Sequence, residues 1–296
     1  RAALPLLEQA ADHAGLARVW EALGAVANLQ GRFEEWAQAA EQSLRHFRLA
    51  GQTPFGLAGL HGALVSGPRP ADEALRGLDS VLPPNPEPFV LLGRARLLAM
   101  LTRFGEAWEI ALPAAERIRE VSGDGLGEPA LGEIAVLAGD HATAADHLRI
   151  ACDMLERREV PATLSTYAPA LGRSLCVLGR YDEAEPLAQL GRDLGYEEDS
   201  STQMLWRQVQ ALVHAHRKQP TDAERLAREA VEIAERTDGL NSQGDALCDL
   251  AEVLITAGRS GEGAAALEQA LERYERKKNL AMLAQVRPKL EGPALF

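Results

Sequence analysis

The feature that most constrains this chain is a set of three columns of small residues that recur in one register along its length. The second column follows the first by twelve positions, the third follows by seven more, and the units repeat every 33 to 40 residues. In order, the columns are Gly24, Gly62, Ala95, Gly132, Gly172, Ala211 and Ala251; Trp36, Ala74, Ala107, Ala144, Ala184, Ala223 and Gly263; and Ser43, Val81, Ala114, Ala151, Gly191, Ala230 and Ala270. Chance in an Ala-rich chain explains one such column but not three in register, so the pattern predicts a repeated structural unit.

The clearest unit is Ser165 to Glu198, and it predicts two amphipathic helices folded back on each other. Gly179 suits the left-handed conformation that ends a helix, and Asp182 follows in the first turn of the next helix, where the macrodipole favours negative charge. Gly172 and Ala184 would allow the two backbones to approach closely. One such hairpin cannot bury its apolar face alone, so it needs the neighbouring copies.

We therefore predict an all-α fold, a right-handed superhelical solenoid of about seven hairpins with a C-terminal capping helix. The whole chain, 1–296, is interpreted as one domain, and the proline-rich stretch 83–88 as a connection within it. A first helix is predicted from Ala2 to His13, another begins at Phe55, and Gly292 with Pro293 ends the cap. The predicted units are 14–50, 53–83, 87–122, 126–159, 162–198, 200–238 and 240–277, with the cap at 279–290.

Charge and composition argue against several functional classes. The net charge of −12 disfavours nonspecific binding to nucleic acid. No run of 18 apolar residues predicts a membrane span, and no signal peptide is visible. Three widely spaced cysteines favour a reducing, cytoplasmic compartment and small buried hydrophobic roles for each thiol.

The sequence lacks the motifs of catalysis and cofactor binding. The glycine-rich stretch 122–127 has no following Lys-Ser or Lys-Thr and no preceding strand, so it is not a phosphate loop. His214 and His216 are two positions apart and would point in different directions from a helix. No zinc or nucleophile motif appears, so we predict no enzyme activity, no cofactor and no metal for this chain.

The remaining candidates lie on the first helices of the hairpins, which line the concave side of a solenoid. We predict a binding surface there, made of Thr166, Arg173, Trp206, Arg207, Gln208, Asp245, Asp249 and Glu252. Trp206 and Arg207 admit two interpretations. They form a stacking and ion-pairing site for a partner, or Trp206 fills a gap between units while Arg207 pairs with a neighbouring acid. His61, Arg94 and Gln210 break the repeat register and were further candidates for function.

The segment Gly179-Arg180-Tyr181-Asp182-Glu183-Ala184 resembles the tetratricopeptide repeat pattern, although most units here are longer than that family's. Further segments resemble the repeat region of large bacterial signalling proteins that carry a class III nucleotide cyclase or an ATPase module. These are Ser66-Gly67-Pro68-Arg69-Pro70, Arg103-Phe104-Gly105-Glu106-Ala107, Val136-Leu137-Ala138-Gly139-Asp140, Leu205-Trp206-Arg207 and Leu271-Glu272-Arg273-Tyr274-Glu275-Arg276-Lys277. Similar repeats accompany LuxR-type DNA-binding domains. The resemblance implies a regulatory role, and the start at Arg1 suggests a fragment of a longer protein.

Two functions follow as expectations. The first is an interaction module that binds a protein, a peptide or its own parent chain on the concave face, with no direct contact to nucleic acid or membrane. The second is a small-ligand sensor similar to the inducer-binding repeat domain of the maltose-regulon activator. An open groove would favour a polypeptide, whereas a closed pocket with convergent polar groups would favour a small ligand.

Overall fold

The computed structural model describes residues 3–52, 57–123 and 125–291. Within those ranges the chain forms sixteen α-helices and no strand. They are α1 Leu4–Gln9, α2 His13–Leu29, α3 Phe33–Leu49, α4 Leu57–Ser66, α5 Ala71–Asp79, α6 Pro88–Met100, α7 Phe104–Ser122, α8 Glu128–Leu137, α9 His141–Arg157, α10 Pro161–Val177, α11 Tyr181–Leu194, α12 Ser200–His216, α13 Pro220–Glu235, α14 Leu240–Thr256, α15 Ser260–Lys277 and α16 Leu280–Glu291. The predicted start at Phe55 and stop at Gly292-Pro293 fall outside the described residues.

Helices α2 to α15 pair in order as seven hairpins, and each hairpin packs on its neighbours. This arrangement confirms the predicted all-α solenoid. The buried residues of adjacent hairpins merge into continuous apolar clusters, so the core runs along the array and is not concentrated in one centre.

The small-residue columns mark the points where paired helices touch. A Cβ atom added to Gly172 would lie 3.2 Å from the carbonyl oxygen of Ala184, so the predicted close approach is confirmed. Gly179 takes a positive φ of 73° just after α10, as predicted for a residue that ends a helix.

The exception in the second column, Trp36, has a local explanation. Its indole lies in a slot between α2 and α4, against three glycines that leave room for the ring. Cβ atoms added to Gly24, Gly59 and Gly62 would lie 2.9, 3.3 and 2.6 Å from the indole. A large residue on α3 therefore replaces the usual alanine because its partners on both neighbouring helices lack side chains.

The first predicted helix was wrong in its length. We expected one helix from Ala2 to His13, but α1 ends at Gln9 and His13 opens α2. Ala11 has a φ of 50°, which breaks the helix. Asp12 then caps α2, because its carboxylate accepts a hydrogen bond from the Gly15 amide at 2.9 Å.

The superhelix closes on itself, since the first two hairpins contact the last two. We call this contact the closing interface; it comprises residues 29–34, 64–72, 200, 237–239 and 277–278. The carboxylate of Asp238 accepts hydrogen bonds from the amides of Phe33 and Glu34 at 2.8 and 2.9 Å. Asp238 thus caps α3 from more than 200 positions away in the chain.

Lys277 forms the second part of the closing interface. Its side chain is fully buried, and its ammonium donates to the carbonyl oxygens of Leu64, Gly67 and Arg69 at 2.8, 2.7 and 2.9 Å. The three N–H groups of the ammonium thus each find an acceptor at the C-terminal end of α4 and in the following loop.

The last helix, α16, caps the array and also crosses it. Ala281, Leu283 and Val286 are buried, and the latter two share an apolar cluster with α14 and α15. From the same helix, Gln285 donates to the carbonyl oxygens of Val136 and Leu137 at 3.2 and 2.9 Å. The cap therefore joins the seventh hairpin to the fourth across one end of the closed superhelix.

Candidate binding site

Closure of the superhelix encloses a cavity of about 330 Å³ that is partly open to solvent. We call it the inner cavity. As predicted for a solenoid, the first helices of the hairpins supply most of its wall, namely α4, α6, α8, α10, α12 and α14, and α16 adds Met282. Pockets that hold small molecules begin at about 300 Å³, so this volume is sufficient for a ligand.

Part of the lining of the inner cavity is apolar and rich in methionine. Met100, Met204 and Met282 line it, which are three of the four methionines of the chain. Phe33 and Leu205 add further apolar surface to the same wall. Methionine side chains are flexible and polarisable, so this wall can adapt to apolar groups of different shape.

The polar part of the lining is built around a bidentate ion pair between α10 and α14. The guanidinium of Arg173 donates to the two carboxylate oxygens of Asp249 at 2.8 and 3.1 Å. Gln208, which is buried, donates to the same carboxylate at 2.8 Å. Because Asp249 is 6% exposed and has two polar partners, the charge of Arg173 is largely neutralised behind the cavity wall.

Asp245 lies one helical turn before Asp249, and its carboxylate accepts fewer hydrogen bonds. Its Oδ1 accepts a hydrogen bond from the Tyr274 hydroxyl at 2.7 Å and lies 3.6 Å from Arg173. Within the described part of the chain, its Oδ2 accepts no hydrogen bond. Burial raises the pKa of Asp245, and Arg173 opposes that effect.

Three further titratable side chains line the cavity, namely Glu133, Tyr167 and His141. Glu133 pairs with Arg96 at 2.6 Å. Burial raises the pKa of Tyr167 to about 12, so its hydroxyl stays protonated and is a hydrogen-bond donor. Burial lowers the pKa of His141, with Arg173 acting in the same direction, so this imidazole is neutral near pH 7. The Nδ1 atom of His141 has no hydrogen-bond partner among the described residues.

The structure brings four of the eight predicted residues together in the cavity wall: Thr166, Arg173, Gln208 and Asp245. Asp249 stands directly behind them as the partner of Arg173. Thr166 shares a hydrogen bond of 2.7 Å with Thr202 on the next first helix.

Trp206, Arg207 and Glu252 lie outside the inner cavity. The Trp206 ring is buried in the core of the array, and its Nε1 donates to Gln203 at 3.1 Å. The Arg207 guanidinium lies 4.1 Å from that ring centroid and pairs with Glu229 at 3.0 Å. Both features of the packing interpretation are present. A role of these three residues in binding a partner stays a prediction.

His61 and Arg94, which are exceptions to the repeat register, both have structural roles. The His61 ring is packed where a Cβ on Gly93 would stand, and burial lowers its pKa to about 3. Arg94 pairs with Asp79 at 2.7 Å. Gln210 is half-buried. None of the three lines the inner cavity.

Sequence reasoning missed several cavity residues, including Glu133, Tyr167 and His141. Glu133 was detectable in principle, because it follows Arg96 by 37 residues, one repeat, with the opposite charge. Tyr167 and His141 carry no comparable signal. Among the described residues no group of His, Cys, Asp and Glu is arranged to hold a metal ion, and no helix is long and apolar enough to cross a membrane. All three cysteines are buried and free, as predicted.

Residues 201–276 match the tetratricopeptide repeat family. That stretch contains α12 to α15, the sixth and seventh hairpins. No curated protein matches the sequence.

Solved structures extend the likeness to nearly the whole chain. The APC/C hetero-tetramer Cut9–Hcn1 has a TM-score of 0.63 at 14% identity, covering 90% of this chain and 48% of that chain. A Rap protein complexed with Competence and Sporulation Factor has a TM-score of 0.61 at 12% identity, covering 93% and 80%. NprR in complex with its cognate peptide NprX has a TM-score of 0.55 at 15% identity, covering 93% and 84%. This chain spans about half of the Cut9–Hcn1 chain. At these identities the likeness concerns the fold.

Proposed function

We propose that this chain is a non-catalytic regulatory module that binds a short peptide, or the end of a longer one, in its inner cavity. The observation that carries the proposal is the partly open inner cavity, whose lining combines apolar and polar side chains. Liquid water occupies about 30 Å³ per molecule, so the cavity equals about eleven waters and admits roughly ten to twenty non-hydrogen atoms. That size corresponds to about two peptide residues.

Two of the similar structures support a peptide ligand. The Rap protein is complexed with Competence and Sporulation Factor, and NprR is bound to its cognate peptide. We propose the same class of ligand here. A second candidate is a small non-peptide ligand, which the closed form of the superhelix favours because an extended polypeptide would need an open groove.

The parent protein is part of the proposal as well. We propose that the module sits in the cytoplasm of a bacterium and passes the bound state of its cavity to an attached cyclase or ATPase module, as the sequence resemblance implies. A LuxR-type DNA-binding domain is the alternative output. The full-length gene product tests this proposal. A chain that carries neither a cyclase or ATPase module nor a LuxR-type domain would contradict it.

The binding site is tested with a cavity-filling variant. Ala170 is half-buried on α10 and lines the inner cavity, so Ala170→Phe would occupy it. The matched control is Ala162→Phe, an exposed position on the same helix outside the cavity wall. A pooled library of synthetic di- and tripeptides is screened by native mass spectrometry, and the hits are measured by calorimetry.

We expect binding with one peptide per chain, weakened at least about tenfold in Ala170→Phe and unchanged in Ala162→Phe. Circular dichroism checks that both variants keep their helical content. If a peptide binds Ala170→Phe as tightly as it binds the wild type, it binds outside the inner cavity. That result contradicts the proposed site. If a non-peptide metabolite binds and no peptide binds, the second candidate, a small non-peptide ligand, would be favoured.

A further inference from the structure

Two carboxylates beside the inner cavity share one guanidinium. Besides His141 and Tyr167, the ionisable side chains in the described part of the wall are Glu133, Arg173 and Asp245. Glu133 pairs with Arg96 at 2.6 Å. Arg173 donates to both oxygens of Asp249 and lies 3.6 Å from Oδ1 of Asp245, so the two aspartates face the same single cation.

Asp245 is also fixed in position. The Tyr274 ring is fully buried and packs against Gly244, where an added Cβ would lie 2.6 Å from the ring. Its hydroxyl holds Oδ1 of Asp245 at 2.7 Å. The carboxylate is therefore oriented before any ligand arrives, with Oδ2 left to accept a further hydrogen bond. A preoriented acceptor loses little conformational entropy on binding.

The rest of the wall selects against a purely polar ligand. Met204 and Leu205 on α12, with Met100 and Met282, supply apolar surface in the same cavity lining as this carboxylate. A ligand that satisfies both surfaces has one cationic hydrogen-bond donor and one apolar group. The cation would compensate the charge of the second aspartate, because a charged group in a low-dielectric site needs an opposite charge nearby.

We propose that the ligand of the inner cavity carries a cationic amine beside an apolar group, and that Asp245 binds the amine while the methionine wall contacts the apolar part. This inference rests on the proposed function and specifies the ligand class of the same cavity. The free N-terminus of a hydrophobic peptide and a small aliphatic amine share this chemistry. The experiment separates these two sources.

Three probes are compared by calorimetry at pH 7. Leucyl-leucinamide has a free amine, N-acetyl-leucyl-leucinamide lacks its charge, and isoamylamine keeps the amine without peptide groups. Asp245→Asn keeps an oxygen that can accept from Tyr274 and removes the charge. Glu232→Gln is the matched control, because it removes an exposed carboxylate from the neighbouring helix α13, outside the cavity wall.

We expect leucyl-leucinamide to bind at least about tenfold more tightly than its acetylated form in the wild type and in Glu232→Gln. In Asp245→Asn that ratio should fall to about one. Equal binding of isoamylamine and the dipeptide identifies a small amine as the source, whereas a large preference for the dipeptide identifies a peptide N-terminus. Either result supports the inference.

Equal affinity for the free and acetylated dipeptides overturns the inference, and so does a ratio that survives in Asp245→Asn. Absence of binding by all three probes at millimolar concentration overturns it as well. If Asp245→Asn fails to fold, the ratio in the wild type decides alone.

The variant Ala170→Phe separates failure of this inference from failure of the proposed function. If free and acetylated dipeptides bind equally and Ala170→Phe abolishes both, the cavity binds ligand but not through a cation. If Ala170→Phe changes neither, the proposed function is wrong.

Discussion

The Nζ atom of Lys277 lies 2.7 Å from the carbonyl oxygen of Gly67, which precedes it by 210 residues. A solenoid whose hairpins touched their neighbours alone would never bring these groups together. The contact and its two companions, to Leu64 and Arg69, place a buried ammonium against the end of α4. Closure of the superhelix therefore depends on specific polar partners as well as on apolar packing.

Replacing Lys277 by methionine should weaken the closing interface. The variant keeps the apolar stem but leaves the carbonyls of Leu64, Gly67 and Arg69 without their donor. We expect the free energy of unfolding to fall by about 2–4 kcal/mol, measured by urea denaturation. Lys278→Met is the control, because its side chain is 49% exposed and pairs with Asp72 at the surface. That variant should lose less than about 1 kcal/mol, and equal losses would show that Lys277 has no special role.

Asp238→Ala should release the first turn of α3. Its carboxylate caps the amides of Phe33 and Glu34, so their hydrogen exchange should accelerate and stability should fall by about 1–2 kcal/mol. Asp140→Ala removes an ordinary cap, which accepts from the Thr143 amide at 3.0 Å within the same helix, α9. Both variants should lose similar stability, but faster exchange in α3 is expected for Asp238→Ala alone. Unchanged exchange in α3 would argue against closure in solution.

Glu128 should make stability depend on acid pH. The hydrogen bond with His147 lowers the pKa of this buried carboxyl below its ordinary value of 4.5, and Arg119 acts in the same direction. The unfolded chain then binds more protons than the folded one, so the stability from Glu128 is complete above pH 4.5 and is lost as the pH falls through the lowered pKa.

Glu128→Gln should therefore lower the free energy of unfolding by about 1–3 kcal/mol at pH 7. The difference in this free energy between the variant and the wild type should narrow below about pH 4. Thermal unfolding followed from pH 3 to pH 7 measures both quantities. Glu116→Gln removes another partner of Arg119, but the Glu116 side chain is 57% exposed. Its effect should stay within about 0.5 kcal/mol. A difference for Glu128→Gln that is constant with pH would contradict the prediction.

Gly172→Leu tests the contact between paired helices. A Cβ at this position already lies 3.2 Å from the Ala184 carbonyl oxygen and 3.2 Å from Val209, so a larger side chain must displace α11 or α12. We expect a loss of about 1–3 kcal/mol and a melting temperature several degrees lower. Gly77→Leu is the control, because a Cβ there meets no atom within 4 Å on α5. Replacing this helical glycine should stabilise the protein by up to about 1 kcal/mol.

The helices were largely predictable because their signals are local. Four glycines of the small-residue columns lie where a Cβ atom would meet the paired helix of the same hairpin, namely Gly24, Gly132, Gly172 and Gly263. The error at His13 arose from Asp12, which was treated as part of a helix although Asp is a preferred cap. Trp36 is an exception in its column, but the fold accommodates it because glycines on two neighbouring helices, α2 and α4, leave room for its ring.

The candidate site was predictable in part. The first helices were expected to line the concave side, and the structure places Thr166, Arg173, Gln208 and Asp245 in one cavity lining. Their role in binding stays a prediction. The sequence did not separate these from Trp206, which occupies the same helix as Gln208 but points into the core. Nor did the sequence indicate that Asp249 pairs with Arg173. It also did not indicate that the Tyr274 hydroxyl from α15 donates to one oxygen of Asp245 and leaves the other without a hydrogen bond among the described residues.

By itself the sequence determined the unit of this protein, a helical hairpin whose small residues permit close packing, and the number of units that stack. The tertiary structure decided whether the stack stays open or closes. Each hairpin adds a small rotation to the one before it, and the sum over seven units brings Gly31 to Asp238 and Gly67 to Lys277. No single unit encodes that sum, so the inner cavity and the carboxylate of Asp245 within it become visible only in the assembled superhelix.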